Sequence, residues 1–205
     1  SWNVALDENP CTLEFQQLPF DHPIYIMYSS GTTGKPKSIV HGAGGTLLQH
    51  LKELRLHSNI SMEDNVFYYT TCGWMMWNWL ISSLAIGSTI ILFDGSPFYP
   101  NNDTLWALID KYKITHFGIS PKYLDSSKSF KISPKLSYDL DSLKVIFSTG
   151  SPLRGENFDY VYQEVKDNVR LSSISGGTDI ISCFVLGNPQ LPVYRDEIQS
   201  IGLGM

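Results

Sequence analysis

The sequence predicts an α/β fold: a mostly parallel sheet with helices on both faces, followed by a β-rich C-terminal part. Three observations predict it. Short apolar, β-branched runs alternate with longer stretches of helical periodicity, the pattern of strand–helix–strand crossovers that cover a parallel sheet on both sides. The chain has 205 residues, 42% of them hydrophobic and 13% aromatic, enough for one domain with a sizeable core and too apolar for a disordered chain. After Thr178 the helical periodicity stops, and the runs 180–186 and 193–201 read as strands.

The elements follow in order. Residues 24–27 (Ile-Tyr-Ile-Met) read as a strand and 38–40 as a second, with a polar loop between them. Residues 44–58 read as a helix, because Leu47, Leu48, Leu51 and Leu54 recur at three- and four-residue spacing. A strand over 65–70 precedes a mostly buried helix over 73–86, for which Gly87 is the expected C-cap. Residues 89–93 read as a buried strand. Asp103 is placed to cap a helix running to Lys113, with Leu105, Leu108, Ile109 and Tyr112 on one face. A strand over 114–119 leads to Pro121, which suits the first turn of a short helix. Strands over 143–147 and 169–174 then flank a helix over 156–166.

Composition narrows the function classes. The formal net charge is −5, without the basic footprint of a nucleic-acid binder. The apolar stretch 74–92 is interrupted by Asn78, Ser82, Ser83, Gly87, Ser88 and Thr89, too often for a membrane span. Cys11, Cys72 and Cys183 are distant from one another and odd in number, which argues for reduced thiols in the cytosol rather than a disulfide framework or a metal site. The five histidines show no metal spacing and no persuasive nucleophile–base order. The chain starts Ser1-Trp2 without methionine and stops at Met205 without a tapering tail, so it is expected to be part of a longer protein.

The loop YSSGTTGKPK (28–37) carries the clearest chemistry. Its glycines permit the turns that point successive N–H groups at an anion, its hydroxyls add donors, and Lys35 adds charge. It is not a Walker loop: only two residues separate Gly31 from Gly34, and Pro36 removes an N–H and biases Lys35 away from helix. A strand–loop–strand element results. A polar surface hairpin would have the same composition, so the other segments matter. FSTGSPL (147–153) sets small residues at a strand end, where a flat ring can lie against backbone, and SISGGTDI (174–181) joins a threonine to an acid. In parallel sheets ligands sit at the carboxyl ends of strands, and 29–37, 148–151 and 175–179 are all expected there. A phosphate loop, a flat surface and a carboxylate able to hold Mg2+ together describe a nucleoside triphosphate site.

These residues resemble the adenylate-forming enzymes, the family of acyl-CoA synthetases, luciferases and nonribosomal adenylation domains. The likeness spans 23–205, with the loop, TTCGWMMWNW (70–79), STGSPL (148–153) and SGGTDI (175–180) in the family's order. GWMMWNW, LFDGSPFYP (92–100) and SGGTD are most similar to the acetoacetate-activating branch. The resemblance implies that a carboxylate attacks the α-phosphorus of ATP to give an acyl-adenylate and pyrophosphate, after which coenzyme A displaces AMP. It implies that Ser29, Ser30, Gly31, Thr32, Thr33, Gly34 and Lys35 hold the β- and γ-phosphates. Gly150, Ser151 and Pro152 would lie along the adenine, Gly177 and Thr178 would contact the nucleotide, and Thr178 and Lys35 would act in catalysis. Asp179 would orient Mg2+; most of the family has glutamate there, one methylene longer.

Acetyl-specific relatives carry tryptophan in the stretch matching Ser175 and Gly176, so Gly176 is expected to leave room for a longer acid, and Gly176→Trp to shift preference towards acetate. Trp74, Met75, Trp77 and Asn78 are candidates for the same pocket, although such a stripe on a buried helix also reads as core. The family's ribose-binding aspartate and its C-terminal domain with the adenylation lysine find no match within 1–205. The chain is therefore expected to be a partial adenylation domain, inactive alone, with another short- or medium-chain acyl-CoA synthetase, or a non-catalytic interaction protein that keeps the fold, as the alternatives to acetoacetate activation.

Overall fold

The computed structural model describes residue 12, residues 14–29 and residues 34–205. Strands β1 (Pro23–Ser29) and β2 (Lys37–Gly42) pair antiparallel from Ser29↔Lys37 to Pro23↔Gly42. The loop is thus strand–loop–strand, as its proline requires; Ser30, Gly31, Thr32 and Thr33 in its tip lie outside the described residues. The hairpin is a sheet of its own, which corrects the expectation that this loop hangs from the parallel sheet. A connection this short returns a strand antiparallel, because a parallel crossover needs a dozen residues or more.

Helix α1 (Ala43–Leu51) continues with π-type bonding over Lys52–His57. Its buried face is not that of Leu47 and Leu48. Leu47 and Leu48 are 43% and 61% exposed, whereas Thr46, His50, Glu53, Leu54 and His57 are buried. The two stripes are offset by one residue, and the polar one is buried because its partners come from the far end of the chain.

The central sheet follows: β3 (Asn65–Tyr68), α2 (Met75–Ser82) with a 3-10 turn at Ser83–Ile86, β4 (Thr89–Ile91), α3 (Thr104–Tyr112), β5 (His116–Ile119), α4 (Pro121–Ser129), α5 (Pro134–Ser137), β6 (Val145–Ser148), α6 (Gly155–Tyr160) extended by Val161–Val165, and β7 (Arg170–Ser173). All its pairs are parallel, in the order β4-β3-β5-β6-β7. Gly87 closes the 3-10 turn with φ +86°, as its position predicted. Strand β4 is an edge, and its residues are exposed or half-buried rather than buried as expected. Asp103 precedes α3 but does not cap it with its side chain; its carboxylate accepts a hydrogen bond from Tyr138 Oη at 2.6 Å instead.

Period-two alternation divides the core. Phe67, Phe117, Ile146 and Leu171 face one way, against Leu105, Trp106, Leu124 and Phe158 of α3, α4 and α6. Val66, Tyr68, Val145 and Phe147 face the other way, against Leu54, Met76 and Trp79 of α1 and α2. Each large side chain so buried contributes about 1.5–3 kcal/mol. On this second side lies an antiparallel sheet of β8 (Ser175–Gly177), β9 (Ser182–Leu186) and β10 (Ser200–Ile201), in the order β10-β9-β8. Of the expected strand over 193–201, only Ser200–Ile201 pairs.

At the amino ends of the parallel strands most polar groups are matched, with Arg170 Nε buried and unpaired. Asp64 Oδ1 accepts from Lys144 Nζ at 2.7 Å, and Oδ2 accepts from Ser61 N and Oγ at 2.8 Å each. Burial alone would raise this carboxyl, but the Lys144 ammonium and the two Ser61 donors outweigh it and hold it at about 2. Burial lowers neighbouring His116 to about 4, with Asp64 opposing. Arg170 Nη2 donates to Ser58 O at 2.7 Å, and Lys166 Nζ to Leu140 O, Asp141 O and Leu143 O at 2.8–3.0 Å.

Candidate active site

At the carboxyl ends of β6 and β7 the chain opens a cavity of about 400 Å³. One wall is the 149–152 segment leaving β6; another is 173–178, leaving β7 through β8. Trp74, Met75 and Met76 at the start of α2 form a third, and Ser182 and Cys183 of β9 back the space. Parallel strands deliver these segments together because every crossover returns the chain to the same end. Thr149 Oγ1 donates to Ile174 O at 2.8 Å and ties the two strand ends. Gly150 has φ +97°, and a Cβ there would stand 3.6 Å from Trp74 Cζ2, so the indole lies close along the bare backbone. The Trp74 ring is fixed edge-on to Tyr68, 5.8 Å between centroids.

The cavity therefore brings together Trp74, Gly150, Ser151, Pro152, Gly176, Gly177 and Thr178 from the sequence-derived set. Trp77 and Asn78 do not line it; Asn78 is buried on the body of α2. Ser29, Gly34 and Lys35 belong to the hairpin and are not among its lining residues. The hairpin is nonetheless bonded to the cavity wall. Thr178 O can only accept, so His41 Nε2–H of β2 donates to it, at 2.9 Å. Asp179 follows at the rim, exposed, and no ion pair among the described residues engages it.

One expectation is overturned. Gly176 lines the cavity, but a side chain there would point into β9: an ideal Cβ would stand 2.1 Å from Ser182 O and 2.7 Å from Cys183 Cα. The glycine is required by the close approach of two backbones, and Gly176→Trp would part β8 from β9 rather than shorten an acyl pocket.

The turn after Thr178 is strained. Ile181 is buried with φ +48°, a left-handed conformation that a β-branched residue adopts at about 1–3 kcal/mol. His50 Nε2–H donates to Ile181 O at 2.7 Å, and Ser82 Oγ lies 2.8 Å from Nδ1. Burial lowers the His50 pKa, which keeps the ring neutral. Sequence reasoning set the histidines aside and passed over Glu53. The signal was there: Thr46, His50, Glu53 and His57 keep the same four-three-four spacing as a buried helix face.

The donor set suits a nucleotide arriving with its metal. Magnesium keeps several waters, and needs only one or two protein carboxylates beside substrate phosphates. Asp179 offers one, and no group of three metal-ligating side chains forms a cage among the described residues.

Comparisons with known proteins agree with this geometry. The chain is 56% identical over 199 residues to acetoacetyl-CoA synthetase of Danio rerio, covering 97% of this chain and 29% of that protein. It is 47% identical to malonamoyl-CoA synthetase vrtB of Penicillium aethiopicum, covering 100% of this chain and 31% of the relative. The solved acetoacetyl-CoA synthetase from Streptomyces lividans superposes with a TM-score of 0.91 at 41% identity, over 98% of this chain and 32% of that one. The chain thus spans about three-tenths of the length of these relatives. A sequence profile of AMP-binding enzymes matches residues 4–205, hairpin, parallel sheet and β-rich end alike, and the chain belongs to that family.

Proposed function

We propose that this chain is part of the adenylation domain of a cytosolic acid–thiol ligase that activates acetoacetate with ATP and transfers it to coenzyme A. The observation that carries the reading is the cavity shared by Trp74, 150–152 and 175–178, with the acid of Asp179 at its rim. The adenine lies along the bare backbone at Gly150, Ser151 and Pro152. Gly177 and Thr178 hold the α-phosphate, towards which the acid's carboxylate is directed; Trp74 borders the acid. The loop 29–35, including Lys35, gathers the β- and γ-phosphates and steadies the pyrophosphate leaving group. Magnesium bound with the phosphates supplies neutralisation of their charge, and Asp179 is the residue to orient it. The work is positioning and charge stabilisation, since adenylation itself makes the carboxylate an electrophile.

The name of one relative favours a second acid. Malonamate and acetoacetate are both 3-oxo acids of equal size, differing only by an amide NH2 in place of a methyl. Pyrophosphate exchange by the full-length protein tests both. Acetoacetate should drive exchange and acetate should not; a higher kcat/KM with malonamate would move the assignment to that acid. Background exchange with all three would overturn the ligase reading. MgATP at a hundred times its Kd should stabilise the fold by about 2.7 kcal/mol, and Lys35→Ala should remove most of that gain.

A further inference from the structure

Glu53 is completely buried, yet no ion pair among the described residues includes it. Its two oxygens are satisfied by neutral donors. Oε1 accepts from Gln49 Nε2 at 3.0 Å, from Cys183 N at 2.9 Å and from the Ser182 hydroxyl. Oε2 accepts from Trp79 Nε1 at 3.0 Å, with Cys183 Sγ 3.5 Å away. A buried carboxylate held this way is expensive to place, and its removal leaves several donors unpaired. The donors come from α1 and from α2 and β9, and the last two each carry a side of the cavity. One helical turn earlier, on the same stripe, His50 holds the carbonyl of the strained Ile181. The side chains of one helix thus grip both ends of the 181–183 stretch, directly behind Thr178, Ser182 and Cys183.

We propose that His50 and Glu53 are positioning residues, which fix the turn bearing Thr178 and Asp179 against the α2 wall of the cavity and so set the geometry in which the acid meets the α-phosphate. Neither touches the substrates; they act through the 178–183 backbone. A carboxylate suits the task because it accepts at both oxygens. Glutamine would present an NH2 group to at least one N–H donor, Trp79 or Cys183. At His50 only the Nε2–H donor is needed, which glutamine can imitate and alanine cannot.

This inference rests on the ligase reading, and the assay separates the two. In the full-length protein, His50→Ala and Glu53→Gln should each lower the kcat of acid-dependent pyrophosphate exchange at least tenfold, measured well below the melting temperature of each variant. The KM for ATP should change less than threefold, and His50→Gln should recover most of the kcat. Where a variant fails to fold, Gln49→Ala, which removes one donor from Glu53 away from the cavity and leaves the carboxylate satisfied by the rest, should give the same split at about threefold. Folded variants that melt earlier but keep kcat within twofold of wild type would overturn the positioning role and leave the ligase reading standing. Wild-type protein without exchange on any acid would overturn both.

Discussion

The two ends of the parallel sheet are made differently. At the amino end, Asp64, Lys144, His116 and Lys166 are matched to partners within the chain, and Arg170 is matched through Nη2 while its Nε is buried without a partner. A hollow of about 860 Å³ lies beside them, larger than the cavity at the other end, but its wall includes Lys166, whose ammonium is already engaged by three carbonyls. At the carboxyl end the residues following β6 and β7 are small, the backbone is bare at Gly150, Ile181 is strained, and Asp179 has no ion-pair partner among the described residues. Charges satisfied internally stabilise a fold and leave little for a ligand. Volume alone is a poor guide to a site; bare backbone and an unpaired carboxylate at the carboxyl ends of the strands are a better one.

Substitutions can break that contrast. Asp179→Asn in the full-length protein should lower acid-dependent pyrophosphate exchange about a hundredfold, the order seen on removing one charge-stabilising group, with the melting temperature unchanged. A stability loss equal to the activity loss would assign Asp179 to the fold. Gly176→Ala should destabilise by about 1–3 kcal/mol in chemical denaturation, the range for overpacking, because its methyl meets the β9 backbone. A neutral result there would mean the two strands part easily.

At the opposite end the signs reverse. Asp64→Asn should cost about 1–2 kcal/mol, less than a fully enclosed pair because Lys144 is largely exposed, and leave kcat per folded molecule unaltered. The same cluster sets a pH response. Between pH 6.5 and about 4 the unfolded chain takes up a proton at His116 that the folded chain refuses. From about 3.8 to about 2 the same holds for Asp64. Stability therefore falls as pH drops through both intervals. His116→Gln should make the upper interval shallower in melting curves, leaving the part that buried His50 contributes, the smallest of these effects.

The sheet was legible because continuous apolar runs such as Val145, Ile146 and Phe147 and markers such as Gly87 and Pro121 act locally. The cavity's 149–152 and 175–178 walls were legible because small residues follow the strands. What the sequence hid depends on distant partners. Leu47, Leu48 and Leu51 and the Thr46–His50–Glu53–His57 set have similar periodicity, and bonds to residues some 130 positions away decide that the polar set is buried. Gly176 had the right location with the wrong reason, since its direction depends on how β8 pairs with β9. Strand β4 misled because an apolar run says nothing about its place in the sheet order.

The outward leucines of α1 have a practical corollary. Leu47 and Leu48, with Ile26, Tyr28 and Val40 on the hairpin, meet water in the 205-residue chain, and a net charge of −5 supplies only modest repulsion between molecules. Handled alone and concentrated, this stretch should be limited by solubility, because its hairpin and the outer face of α1 offer neighbouring molecules apolar surface.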